Sequence, residues 1–323
     1  MLTRVLHSSI TRRFVTALGT LFGVAVLVFA MLRAIPGDQV TAQFGIESGA
    51  LTAAQRASLE SYYGLDQPLF VQFFSWLGNV LTGNQGFSAR SHMSVAELTA
   101  LSLPVTIELA IITIVFSLLL GVPLGMLSAS KPNSARDAFG QVIALAGLSI
   151  PAFLLGSSVM AWAASSWGEN PNGQAFAQLA ENPGLNLRQM ILPAAVLAFG
   201  IAAPIMRTTR TAVLDVRSKD FIRTARAKGL APRRIQFRHV LTNALVPITT
   251  MTGLQFGYLL GGAIVIEQVF SLPGIGRQVL VGIEQKEYAV VQSTILIIAV
   301  CFVLVNLLTD ILYRVIDPRV RAL

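Results

Sequence analysis

The chain has 323 residues, 54% of them hydrophobic and only 12% charged, with a formal net charge of +8. That balance excludes an ordinary soluble domain, which carries about a quarter charged residues. The apolar residues gather into repeated runs of about 20, the length that crosses a bilayer as a helix, so the composition indicates an all-α integral membrane protein.

In chain order, the first run is Phe14–Leu32, preceded by Arg12 and Arg13. It is longer than a signal-peptide core, and Arg33-Ala-Ile-Pro36 follows it instead of a small-x-small cleavage site, so it reads as a retained first span. Five further spans are expected at Pro104–Leu127, Ala138–Ala164, Met190–Met206, Ala244–Ile266 and Ala289–Tyr313. Each can cross a hydrocarbon layer of about 30 Å at about 1.5 Å per residue, the fourth only barely. Between the first two spans lies one large insert. Within it, Thr52 is a candidate helix cap, and Pro68 opens a second helix in which Phe70, Phe73, Phe74 and Leu77 share a face. The division is then 1–103 for the first span and insert, 104–313 for a five-helix transmembrane domain, and 314–323 for a tail.

Charge sets the orientation. Eighteen of the 24 Lys and Arg fall in the two ends of the chain and in the loops on the same side, ten of them between Arg207 and Arg238. Positive residues accumulate on the cytoplasmic side, so both termini and the 207–243 loop are expected inside and residues 35–103 outside. Because the bases alternate between loops and do not form one stripe, they read as topology and not as a nucleic-acid surface. The three His are far apart and Cys301 is the single cysteine, so neither a metal set nor an intrachain disulfide is expected.

Between the fourth and fifth spans runs Asp220–Pro247, DFIRTARAKGLAPRRIQFRHVLTNALVP. Asp220 suits the first turn of a helix that Gly229 would end, and Pro232 suits the first turn of a second. The expectation is a helix–Gly–helix hairpin continuous with membrane helices at both ends; a solvated basic loop is the plainer alternative. Small residues recur at Gly253, Gly257 and Gly261, at Gly121 and Gly125, and at Gly19 and Gly23. Such faces allow close backbone approach, within the chain or to a partner. Pro123, Pro151 and Pro204 fall inside spans, as kinks or as breaks facing a water-filled path. Glu108 and Asp310 lie near span ends, where pairing or snorkelling accounts for them; Gln255 and Asn306 are better pore candidates.

The hairpin carries a resemblance. Ala225-Arg-Ala-Lys-Gly229 followed by His239, Asn243 and Pro247 resembles the EAA loop of ABC importer permeases, most closely that of the peptide-transport branch. The Glu-Ala-Ala of the general loop is here Arg223, Thr224 and Ala225, so a Glu-mediated contact does not carry over. Ile35-Pro-Gly-Asp38, Gly64-Leu-Asp-Gln-Pro68, Pro104-Val-Thr-Ile-Glu-Leu109, Gly121-Val-Pro-Leu-Gly125, Ser149-Ile-Pro-Ala-Phe153, Glu267-Gln-Val-Phe-Ser-Leu-Pro-Gly274 and Asp317-Pro-Arg-Val-Arg321 are similar to that branch in the same order. The resemblance implies six transmembrane helices with a cytoplasmic coupling-helix hairpin and an external insert between helices 1 and 2, in a prokaryotic cytoplasmic membrane. It further implies a second homologous permease, two ATPase subunits and an external solute-binding protein. The coupling contact would then be made by Asp220, Arg223, Thr224, Ala225, Arg226, Ala227, Lys228, Gly229, Leu230 and His239, with Gly253, Gly257 and Gly261 packing on the other permease. No Gly-x-x-x-x-Gly-Lys-Ser/Thr occurs in the chain, so ATP and Mg are expected on partner subunits, with no cofactor and no catalysis here. The solutes of that branch span oligopeptides, dipeptides, nickel, glutathione and opines. A stand-alone ion-driven transporter or channel would instead show midplane acids and an internal repeat, and a membrane enzyme a clustered reactive set.

Overall fold

The computed structural model describes residues 2–34, 52–62, 66–88, 90–167 and 173–316. Among the described residues the helices are α1 (Leu2–Ala34), α2 (Ala53–Tyr62), α3 (Leu69–Leu81), α4 (Val95–Ser130), α5 (Ala135–Ser149), α6 (Ala152–Trp167) and α7 (Pro183–Arg217). They continue with α8 (Asp220–Ala227), α9 (Pro232–Arg234), α10 (Thr242–Gly262), α11 (Ile264–Val269), α12 (Ile275–Glu284) and α13 (Tyr288–Ile316). The all-α expectation needs one small amendment: Phe87–Ser88 (β1) pairs antiparallel with Met93–Ser94 (β2). Among the described residues, four helices are long and apolar enough to span a membrane, at Arg13–Arg33, Val95–Ser130, Pro183–Arg217 and Tyr288–Thr309.

Two of the expected spans differ in the structure. The 138–164 span is broken at Ile150-Pro151 into α5 and α6, bent by 95° and counting as a fifth crossing only if the pair is taken as one. Pro151 lacks the N–H that would continue the ladder, so the break falls where the proline stands. The 244–266 span is the 21-residue α10, interrupted at Ala263, and it carries Asn243, Thr249, Thr250, Thr252 and Gln255; it is not among the four helices that are long and apolar enough to span. By contrast, α7 runs unbroken through Pro193 and Pro204.

The chain forms two compact units, residues 1–105 with 273–303, and residues 106–272 with 304–323. In the first unit, α1 and α3 meet through Ala25, Phe29 and Phe73, with Leu296 of α13 in the same cluster. Phe73 lies edge-on to Phe29 at 5.4 Å and to Phe22 at 5.9 Å. The inward stripe of α3 is therefore Phe73, Trp76, Leu77 and Val80, whereas Phe70 and Phe74 stay exposed. That corrects the expected Phe70–Leu77 face. Gln72, Ser75 and Asn79 set a polar face opposite Phe70, Phe74 and Leu81, but α1 packs on the edge between the two, so periodicity points to the wrong side. Two helix starts use reciprocal caps: Thr52 with Gln55 for α2, and Ser94 with Glu97 for α4.

The second unit is built on α7, which buries 16 of its 35 residues. Helices α4 and α5 approach it through glycines. A Cβ at Gly121 would lie 2.8 Å from Ala202 O, at Gly125 2.6 Å from Met206 O, and at Gly147 2.6 Å from Phe199 O. Lipid supplies no hydrophobic drive between helices, so this backbone proximity is how they gain contact. Gly19 and Gly23 of α1 meet nothing within 4 Å, so their spacing marks no packing seam within the described residues.

Candidate functional site: the 220–241 hairpin

Helix α8 ends in a two-bond Schellman turn. Gly229 N–H donates to Arg226 O at 2.9 Å, and Leu230 N–H donates to Ala225 O at 3.3 Å. The turn requires a left-handed residue, and Gly229 supplies it with φ +72°. Pro232 then opens α9, which passes through a π-helical stretch, Ile235–Leu241, directly into α10. In that wide turn Thr242 Oγ1 donates to Phe237 O, five residues back, at 3.2 Å. The hairpin is thus an ordered continuation of membrane helices and not a loose loop.

Its two faces are distinct. Ile222 and Ala225 of α8, with Ile235 and Val240, are buried in one cluster with Ala129, Ala212, Val213, Ala244 and Ile248; Leu230 packs at its edge. Ala225, expected at the partner surface, belongs to the chain's own core, because the i, i+3 spacing from Ile222 places both on the inner face. The outer face exposes Asp220, Arg223, Thr224, Arg226, Ala227, Lys228 and Gly229, while His239 is half-buried. Asp220 and Arg223 make an ion pair at 3.3 Å, but both are largely exposed, so it adds little stability. Two aromatics missed by the sequence reading stand among these bases: Phe221 is 46% exposed and Phe237 60%. Their signal was present as apolar residues inside a basic stretch. An exposed surface of aromatics and arginines is the composition that protein partners bind.

Other candidate residues distribute as follows. Gly253 and Gly257 are buried within the chain. A Cβ on Gly253 would meet Thr309 Cγ2 of α13 at 2.1 Å, so the internal-packing alternative accounts for that glycine; Gly261 alone faces open space. Gln255 and Asn306 are both half-buried. Glu108 accepts from Asn186 Nδ2 at 3.2 Å, the pairing expected of a span-end acid; the side chain of Asp310 lies outside the described residues. Two buried acids were not singled out by sequence. Glu267 accepts from Thr106 Oγ1 at 2.6 Å. Asp137 is gripped by Arg210, whose Nε and Nη2 donate to its two oxygens at 2.8 and 2.7 Å. No group of His, Cys, Asp and Glu among the described residues could hold a metal ion.

The first unit holds a cavity of about 850 Å³ whose lining includes Arg33, Trp76, Arg90, Lys286, Glu287 and Gln292. Its carboxylate, Glu287, accepts from Ser88 Oγ at 2.8 and 2.9 Å and from Arg90 N–H at 3.1 Å. The guanidinium of Arg33 lies 4.5 Å above the Phe29 ring and donates to Gln72 Oε1 at 2.7 and 3.0 Å. The wall therefore carries three cations against one carboxylate.

The described residues thus form a multi-pass helical membrane protein with an ordered basic hairpin between α7 and α10. Residues 121–322 match the model of the binding-protein-dependent transport system inner membrane component, and residues 6–110 match the model for its N-terminal part; the chain belongs to this family. It is 36% identical to the glutathione transport system permease protein GsiC of Salmonella typhimurium, over 97% of this chain and 98% of that protein. It is 38% identical to a candidate peptide permease of Brucella suis, over 96% and 97%. An inward-facing structure of the MetNI methionine ABC transporter shares the fold, with a TM-score of 0.55 at 20% identity, covering 68% of this chain and 96% of the other. The chain is the permease subunit of an ABC importer.

Proposed function

We propose that this permease carries small peptides, glutathione among the candidates, across the inner membrane, and that its 220–241 hairpin is where ATP hydrolysis by separate subunits is received. The observation that carries the second part is the two-faced hairpin: Ile222 and Ala225 lock it to the membrane helices, while Phe221, Phe237 and the arginines are left for a partner. The named relatives support the peptide class. In this reading the chain crosses the membrane six times, with α5–α6 and α10–α11 as irregular crossings and both termini in the cytoplasm. It pairs with a second permease, Gly261 being the open glycine at that seam. Two ATPase subunits bind ATP and Mg, and an external binding protein delivers solute. The cation-rich cavity beside the insert supports an outward role for that segment in receiving an anionic or zwitterionic solute.

The experiment is reconstitution of this chain with its partner permease, ATPases and binding protein into liposomes, followed by uptake of labelled glutathione and of tripeptides. Uptake that requires both ATP and the binding protein is expected. Uptake driven by an ion gradient in the absence of the ATPases would overturn the reading.

A further inference from the structure

Arg217 is the last residue of α7, and its guanidinium is shared between two other elements. Nη1 donates to Ala129 O at 2.6 Å and Nη2 to Gln236 Oε1 at 2.6 Å. Ala129 stands in the last turn of α4, where backbone carbonyls have no in-helix donor and the helix end is negative. Gln236 stands in the π-helical stretch, on the return arm of the hairpin. One side chain thus joins the ends of α7 and α4 to the hairpin.

Two turns earlier on the same face of α7, Arg210 forks onto Asp137 at the start of α5. Asp137 also accepts from Ser128 Oγ of α4 and, at 2.9 Å, from Asn133 N–H. Both arginines therefore clamp the turn between α4 and α5, but of the two only Arg217 extends the clamp to the hairpin. The apolar cluster beneath it resists separation without fixing register, because burial is non-directional. Charge-assisted bonds from a planar fork do fix register, so they resist the sliding that burial alone permits.

We infer that Arg217 is the positioning residue that makes the hairpin and the end of α4 move together, so that a push on the hairpin is delivered to the α4–α5 turn. This rests on the reading of the hairpin as the ATPase contact. Lysine in its place carries the charge but is a compact point charge, which cannot reproduce the two-armed fork.

The test uses the complete reconstituted complex carrying Arg217→Lys, Gln236→Leu, or both. The readout is solute imported per ATP hydrolysed, with partner co-purification and the unfolding midpoint measured beside it. The expected result is that each variant assembles and hydrolyses ATP while import per ATP falls about five- to tenfold. The double variant should be no worse than Arg217→Lys alone, because both changes break one bridge. A purely structural role would lower the midpoint and leave the ratio intact. An unaltered ratio, or additive losses in the double variant, overturns the inference while leaving the import reading standing. A wild-type complex that fails to import would instead sink the import reading. Should Arg217→Lys fail to assemble, Gln236→Leu decides alone, since it removes one arm and leaves the bond to α4.

Discussion

Replacing Gly229 with Val tests the hairpin at its left-handed residue. A Cβ at this position meets nothing within 4 Å, so no clash contributes and the whole penalty is conformational. Holding a β-branched residue at φ +72° costs about 1–2 kcal/mol. The escape route is to let φ turn negative, which breaks the bonds from Gly229 N–H to Arg226 O and from Leu230 N–H to Ala225 O. At about 0.5–1.5 kcal/mol net for each bond, that route costs about 1–3 kcal/mol and also pulls Leu230 from its cluster. The two costs are comparable, so the variant divides its time between a strained turn and an opened one. The penalty falls on the exposed corner and not on the transmembrane core. Membrane insertion and expression should stay near wild type, while ATP-driven uptake falls at least about tenfold, the effect of about 1.4 kcal/mol. ATPase co-purification, or stimulation of ATP hydrolysis by the loaded binding protein, should fall with it. Gly229→Ala should be milder, since it adds no β-branch. Wild-type uptake by the Val variant would show that the hairpin geometry is irrelevant to coupling.

The remaining predictions follow from close contacts and exposure. Gly125→Leu should separate α4 from α7, because even a Cβ there lies 2.6 Å from Met206 O; the folded yield in detergent should drop sharply, whereas Gly19→Leu, with nothing within 4 Å, should match wild type. Gly253→Ala should lower the unfolding midpoint through its contact with Thr309, by the equivalent of about 1–3 kcal/mol. Gly261→Leu should leave the midpoint alone and reduce recovery of the second permease, and full recovery would place the seam elsewhere. Ser58→Cys in a Cys301→Ala background should react with an impermeant thiol reagent in intact cells, Ser58 being exposed on α2; reaction only after lysis would invert the assigned orientation.

The hairpin was legible because its determinants are local. Asp220, Gly229 and Pro232 each act within one turn of the chain, and the structure places a helix start, a left-handed turn and a second helix start at those positions. Which face of α8 turns inward was not legible from Ala225 as a small residue; it follows from what lies beneath, namely Ala212 and Val213 of α7. The same limit applies to α3, where Trp76 and Phe73 face α1 and the equally apolar Phe70 and Phe74 do not. Glycine spacing showed where helices could come close without showing to what: Gly121 and Gly125 meet α7, Gly253 meets α13, and Gly261 meets nothing. The Asp137–Arg210 pair was hidden for another reason. Its members are 73 residues apart, and Arg210 was counted only among the bases that set topology.

That last point bears on how the second unit holds its shape. Burial between helices in lipid gains little, so α4 and α5 must be held to α7 by contacts that depend on distance. Glycines supply them at mid-helix, where Ala202, Met206 and Phe199 carbonyls come within reach of Gly121, Gly125 and Gly147. Arginines supply them at the hairpin end, where Arg210 and Arg217 bond to Asp137 and Ala129. A slide of α4 by one turn, about 5.4 Å, would break the Arg217–Ala129 bond and bring Ala129 or Ser117 against one of the carbonyls that now face Gly121 and Gly125. The α4–α5 turn is therefore registered to α7 at both levels. The neighbouring irregular element on the hairpin's own path is the π-helical stretch Ile235–Leu241, whose wide turn lies between the exposed corner and α10. On the proposed coupling role, the π-helical stretch into α10 and the Arg217 bonds into α4 are two of the routes open to motion received at the corner, beside the chain connection to α7 and the apolar cluster. Cutting the Arg217 bridge therefore removes one route and leaves the others.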